Sequence, residues 1–238
     1  MLLKHGLAGL THKAAAGGTG LITSNLKVQF ESDSGFSATS WTDQIGSLEL
    51  TVQASMATPT TSTTPTGAAS LVCATDQGLG TTALSGLDIP DGAEARTLYM
   101  LMKGNTANGS FQGIAYGTPV ADQAFGIVIT GTAQTAQVDF WGTAYAGTTD
   151  VISNSWHIFC ATYDGANARM TLNDVEEVAS TAATSNTVLS NLYIHEGLND
   201  SGKDETNEYC ALLIYSGVHD ATQQTQMFDY LNDKYRTV

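Results

Sequence analysis

The chain has 238 residues, a length that fits one or two domains and can bury a core without disulfides or a structural metal. Nine Lys and Arg stand against 23 Asp and Glu, a formal net charge of −14, and only 13% of residues are charged. Cations this scarce cannot coat a phosphate backbone or an anionic membrane surface, so neither nucleic acid nor membrane is an expected partner. With 42% hydrophobic residues the chain is not of the disordered kind. Its 33 Thr, 24 Gly and 4 Pro point to half-buried pleated strands joined by turns.

Residues 1–24 read as an arm. Leu3, Leu7, Leu10 and Ala14 recur on one face of a short helix, which Gly6 and Gly9 weaken by roughly 1 kcal/mol each. Residues 14–20 (AAAGGTG) follow as a flexible joint. The opening Met1-Leu2-Leu3-Lys4-His5 starts as a signal peptide does, but His12 and Lys13 interrupt the apolar run. The expectation is a protein made and assembled in a cytoplasm, with Leu2, Leu3, Leu7 and Leu10 as candidate partner-docking residues.

From residue 25 onward strands and turns alternate. Residues 26–30 and 48–52 show period-two patterning around a turn region at 41–46, and the Thr/Pro-rich 55–68 reads as a surface loop. Residues 97–102 (TLYMLM) are nearly all apolar, as in a strand covered on both faces. Further strands are expected at 111–116, 124–130, 136–141, 156–163, 168–173, 187–195 and 208–216, with turns at Asp164-Gly165 and Asn173-Asp174. Near the end Asp220 is a helix N-cap with Gln223 three residues on. Met227, Phe228, Leu231 and Tyr235 form one face, and Lys234 and Arg236 suit the last turn. Cys73, Cys160 and Cys210 sit among apolar neighbours at no disulfide or zinc spacing, and read as core residues.

The stretch from Ser155 to Gly165 (SWHIFCATYDG), followed by Ala168 to Asp174 (ARMTLND), resembles the "W-h-h-v-a-x-x-Y-D-G … l-Y-v-N-G" stretch of laminin-G-like jelly rolls in the concanavalin A-like superfamily. Trp41 to Gly46 is similar to that family's "W-x-D-x-S-G" turn. Tyr209 to Ser216 resembles its last core strand, and Tyr230 to Tyr235 (YLNDKY) its closing "l-x-x-Y-L-x-x-K-Y". The resemblance spans residues 25–238 and implies an all-β, jelly-roll β-sandwich carrying an N-terminal extended arm and a C-terminal helix. Asn173-Asp174 departs mildly from Asn-Gly, since Asp also tolerates the left-handed region. These motifs concern folding and imply no catalytic residue.

Other chemistry is thin. The Glu-x-Asp-x-x-Glu strand of the superfamily's hydrolases is absent, and Asp174, Glu176, Glu177, Asp204, Glu205 and Glu208 read as solvated loop acids. Tyr193-Ile194-His195 lacks the Gln of a lyase strand, His157 reads as a packed residue, and Gly78-Leu79-Gly80-Thr81 lacks the Lys of a phosphate loop. Calcium is the one cofactor in view, with Asp139, Asp200 and Asp204 as candidate ligands. Asp139-Phe140-Trp141-Gly142-Thr143-Ala144-Tyr145 is the best carbohydrate-binding patch, through Trp141 and Tyr145.

A short apolar, Gly-rich arm before such a sandwich resembles the layout of tailed-bacteriophage structural proteins. That likeness implies a non-enzymatic virion component: a capsid decoration, head fibre or tail appendage, homo-oligomeric and bound to other virion proteins. The alternatives are a carbohydrate-binding module or adhesin for host glycans, and a polysaccharide hydrolase or lyase.

Overall fold

The computed structural model describes residues 20–53, 56–105, 112–130, 133–195 and 206–236. Leu2, Leu3, Leu7, Leu10, Asp200, Asp204 and Glu205 lie outside them. The first strands are β1 (Leu26–Glu31), β2 (Ser40–Thr42), β3 (Glu49–Thr51), β4 (Thr60–Thr63), β5 (Ala69–Cys73), β6 (Leu79–Thr81) and β7 (Arg96–Gly104). Next come β8 (Gln112–Gly117), β9 (Ala124–Ile129), β10 (Thr135–Asp139), β11 (Ala144–Asp150) and β12 (Trp156–Tyr163). The chain closes with β13 (Asn167–Leu172), β14 (Val175–Ala182), β15 (Asn191–Ile194), β16 (Asn207–Ser216) and the helix α1 (Ala221–Tyr235).

The strands form two eight-stranded sheets in which every strand pairing is antiparallel. Sheet I runs β14-β13-β12-β7-β16-β5-β4, and β1 also pairs with β16. Residues 207–209 of β16 face β5 and residues 211–215 face β1, and the handover falls at a bulge around Cys210. Sheet II runs β11-β10-β9-β8-β15-β6-β3-β2. The result is the expected jelly-roll β-sandwich.

Alternation along the strands builds two cores. Phe30, Trp41, Met100, Phe125, Ile127 and Phe159 are fully buried between the sheets. The outer face of sheet I is covered by α1: Tyr99, Leu101, Ile158 and Leu213 pack with Met227, Phe228, Leu231 and Tyr235. Strands β7, β12 and β16 are therefore buried on both faces, which explains the unbroken apolar run at 97–102. All three cysteines are buried in these cores, and burial pushes the Cys160 thiol up to about 12.

The resembling motifs do structural work. Trp41 Nε1 donates to the Glu31 carbonyl at 3.2 Å, and the Asp43 carboxylate collects the N–H groups of Gln29, Ile45 and Gly46 at 2.8, 3.2 and 2.8 Å. Asn173 and Asp174 take φ of 49° and 66°, the two left-handed positions of a tight hairpin. The helix begins in a full capping box between Asp220 and Gln223. Its last turn docks on β1: the buried Glu31 carboxylate accepts from Tyr230 (2.9 Å), Lys234 (3.0 Å) and Tyr235 (3.1 Å).

Several local expectations are corrected. The Thr/Pro stretch at 55–68 contains β4, an edge strand whose four side chains are all exposed; it pairs with β5 and needs no core pattern. Residues 41–42 belong to β2 rather than to a turn. Glu176 and Glu177 lie in β14, and the Glu177 carboxylate reaches β11, where it accepts the N–H groups of Thr148 and Thr149 at 2.9 and 3.1 Å, joining the two sheets. Glu208 is buried rather than solvated, ion-paired to Lys103 at 2.6 Å with Ser70 Oγ at 3.1 Å.

Candidate functional site

The β10–β11 turn organises the candidate site. In β10, Ala136 and Val138 point into the core, as does Phe140 just beyond it, while Gln137 and Asp139 fall on the outer face of sheet II. Asp139 Oδ1 accepts the Trp141 N–H at 2.5 Å, holding Trp141 at φ 61°. Burial raises the Asp139 pKa, against the lowering effect of its bonds to Trp141 and Gln137.

Trp141 thereby folds back onto sheet II, where it packs with Met56 against Ala115, Ala124 and Tyr193. Small residues make this seat. Gly80 lies directly under the Tyr193 ring: a Cβ there would sit 2.0 Å from Tyr193 Cδ1. The indole keeps part of its surface in solvent, while Tyr193 is only 4% exposed. Trp141 is thus an aromatic platform on a fixed floor.

Tyr145 takes a different place. In β11 its ring meets Phe140 edge-on at 6.3 Å, and its hydroxyl donates to the Ala182 carbonyl at 2.6 Å. It lines a cleft of about 560 Å³ at the sandwich rim, together with Tyr163, Asp122, Thr143, Thr184 and Ser185. The single turn therefore carries one aromatic onto the sheet face and the other into the rim cleft.

Arg96 lies behind the cleft, against the Tyr163 ring, and nothing in the sequence marks it. Its side chain is fully buried, with the guanidinium 5.5 Å from the Phe125 and Tyr163 ring centres. It donates to the carbonyls of Glu94 (2.8 Å), Asp91 (3.0 Å) and Gly92 (2.8 Å) and to Thr187 Oγ1 (2.8 Å). Carbonyl oxygens of the loop before β7 satisfy most of the planar donor fork, and the Thr187 hydroxyl ties that loop to the segment before β15. Backbone carbonyls carry no side-chain identity, so this role has no sequence signature.

Among its described lining residues the Tyr145 cleft offers one carboxylate, Asp122, with the Thr143 and Thr184 hydroxyls and an aromatic face. Glycoside hydrolysis needs two carboxyl groups about 5–9 Å apart across one bond, which this lining does not supply. The histidines among the described residues are engaged inside the fold. His195 Nδ1 lies 3.1 Å from Tyr209 Oη, and His157 bonds Ser153 and Asn173 at 3.1 and 3.0 Å. Burial lowers the His157 pKa, helped by Arg236. Among the described residues no three His, Cys, Asp or Glu side chains come together to hold a metal, and Asp139, the calcium candidate within them, is engaged by Trp141 and Gln137.

No family model and no curated protein matches the sequence. Solved structures do match. Domain 4 of AbnA, a GH43 extracellular arabinanase from Geobacillus stearothermophilus solved with arabinotriose, aligns at TM-score 0.63 and 12% identity over 85% of this chain and 98% of that one. The binding domain of Paraclostridial Mosquitocidal Protein 1 aligns at 0.64 and 11% over 86% of this chain and 52% of that one. Trypanosoma rangeli sialidase aligns at 0.61 and 12% over 89% of this chain and 33% of that one. The chain thus spans about half of the second and a third of the third. At such identities the likeness establishes architecture alone: the chain shares a jelly-roll β-sandwich with these domains.

Proposed function

We propose that this chain is a non-enzymatic glycan-binding β-sandwich whose recognition site is the rim around the β10–β11 turn. The observation that carries the reading is the Tyr145 cleft: a half-exposed ring fixed by its hydroxyl, beside the carboxylate of Asp122 and the hydroxyls of Thr143 and Thr184. Sugars present an apolar ring face and a fringe of hydroxyls, and a flat aromatic beside a few oriented polar groups matches both. Trp141, seated on its small-residue floor, extends the aromatic surface toward sheet II. The arabinotriose bound to the AbnA domain supports the reading at the level of fold. A glycan array probed with the parent chain, Tyr145→Ala and Trp141→Ala tests it. Binding should fall at least about tenfold in Tyr145→Ala, the loss of a buried aromatic anchor. Absence of any hit, or a hit indifferent to Tyr145→Ala, overturns the proposal.

A second reading adds a mounting role: a virion structural protein attached through residues 1–24. It is favoured by where the chain enters the described fold. Gln226 Nε2 donates to the Gly20 carbonyl at 2.8 Å and Tyr215 to that of Ile22 at 3.0 Å, and Leu21 and Ile22 pack on the α1 cluster. Attachment would then lie on the helix side of sheet I and recognition on the sheet II side. Leu3→Asp, Leu7→Asp and Leu10→Asp together should abolish incorporation into particles with the sandwich still folded; unchanged incorporation refutes the mounting role.

A further inference from the structure

A groove of about 540 Å³ runs between the first turns of α1 and the outer faces of β12, β13 and β14. Sheet I is not covered by the helix here, and the floor is Thr162, Arg169, Thr171 and Glu176. Asp164, Asp174 and Asp220 rim it, and the exposed Val218 adds an apolar wall. The groove thus sets four carboxylates against a single Arg. It calls for a segment bearing cations beside apolar residues.

The chain itself contains one such segment. Residues 1–30 carry Lys4, Lys13 and Lys27, His5 and His12, and no acid, whereas residues 31–238 hold all 23 acidic residues and six of the nine basic ones. Lys4 and Lys13 bracket Leu7 and Leu10, joined to Gly20 by the seven-residue Ala/Gly/Thr joint. We infer that the groove beside α1 receives residues 2–13 of a second copy of this chain. The inference rests on the reading of residues 1–24 as a contact segment and names the partner of that segment.

Placement argues for a neighbour. The arm's root at Gly20 is held by Gln226 on the β1 side of α1, whereas Gln224 and Thr225 line the groove on the β13 side. The arm's root and the groove lie on opposite flanks of α1, the arrangement of a head-to-tail contact, which closes into a ring or runs on as a filament. A groove of this size also cannot enclose a twelve-residue segment on all sides. Between two subunits the leucines gain a second wall.

Charge exchange tests this in the full-length chain. One variant reverses the arm (Lys4→Glu with Lys13→Glu). The other reverses the groove (Glu176→Lys and Ala221→Lys with Asp174→Asn), at positions with exposed side chains, leaving two carboxylates against three cations. Light scattering after size exclusion should show the parent above its monomer mass of 24.9 kDa and each variant alone at that mass. The equimolar mixture, which pairs acidic arms with basic grooves and basic arms with acidic grooves, should recover association. A mixture that stays monomeric, or variants with the parent's mass, overturns the docking. Should the arm-reversed chain keep the parent's mass and yet fail to join particles, the self-docking falls while the mounting role stands. Circular dichroism of each variant distinguishes lost association from lost folding.

Discussion

Replacing Glu31 by Ala removes the acceptor on which α1 closes. Glu31 is fully buried and is approached by Gln29, Tyr230, Lys234 and Tyr235. Without the carboxylate, Tyr235, itself fully buried, keeps a hydroxyl with no acceptor, a loss of about 1–3 kcal/mol. Lys234 retains Asp33 at 3.0 Å and about a quarter of its side-chain exposure, so its share is at most ~1 kcal/mol. Tyr230 retains Lys234 at 3.0 Å and Gln29 retains Gln44 at 3.0 Å, and both adjust cheaply. The space left by the side chain adds about 1 kcal/mol. The sum is about 2–5 kcal/mol, or roughly 10 °C in Tm for a domain of this size. Glu31→Gln keeps the volume and one carbonyl acceptor and should cost about half as much. Thermal unfolding followed by circular dichroism measures both. Tyr235→Phe should cost less in the Glu31→Ala background than in the parent, because the two act through one bond. A Glu31→Ala protein melting within about 2 °C of the parent refutes this account of helix docking.

His219 should make stability depend on pH. Burial against Tyr99 and Tyr215 lowers its pKa from 6.5 to about 4. Between those values the unfolded chain binds a proton that the folded chain refuses, so stability falls as pH drops from about 6.5 to 4, by up to about 1.4 kcal/mol per pH unit. His219→Gln should flatten this part of the urea-midpoint profile, and an unchanged slope assigns it elsewhere. Gly80→Ala drives a methyl into the Tyr193 ring and should cost about 1–3 kcal/mol while unseating Trp141, read as loss of indole order in near-ultraviolet circular dichroism. A parental spectrum refutes the proposed floor.

Much of the fold was legible because its signals are local. The Asp164-Gly165 and Asn173-Asp174 turns, the 156–163 strand and the Asp220 cap depend on neighbours within a few residues, and each stands where expected. The apolar run at 97–102 announced a double-sided burial without saying what covered the second side. Features that join distant segments left no such mark. Glu31 reads as an ordinary acid after a strand, and only the arrival of α1 makes it a buried acceptor. Arg96 gathers carbonyls that any sequence would offer. The Tyr145 cleft draws on residues 93, 122, 143, 145, 163, 165–166 and 182–185, so its polar set could not be assembled from spacing. The 139–145 turn was legible as an aromatic patch. That Trp141 and Tyr145 diverge follows from Asp139, which captures the Trp141 N–H and turns it onto the sheet. The exposed threonines of β4 alternate with nothing, since an edge strand with no covered face has no pattern to display.

Because β1 finds its partner in β16, and because α1 seals the outer side of that strand, the earliest and latest parts of this sequence complete one another. Strands β1, β5 and β7 are therefore all made before β16, the strand each of them pairs with. Until then a broad greasy surface stands open to chaperones and to wrong neighbours. A variant lacking the fifteen residues of α1 would keep that surface permanently bare.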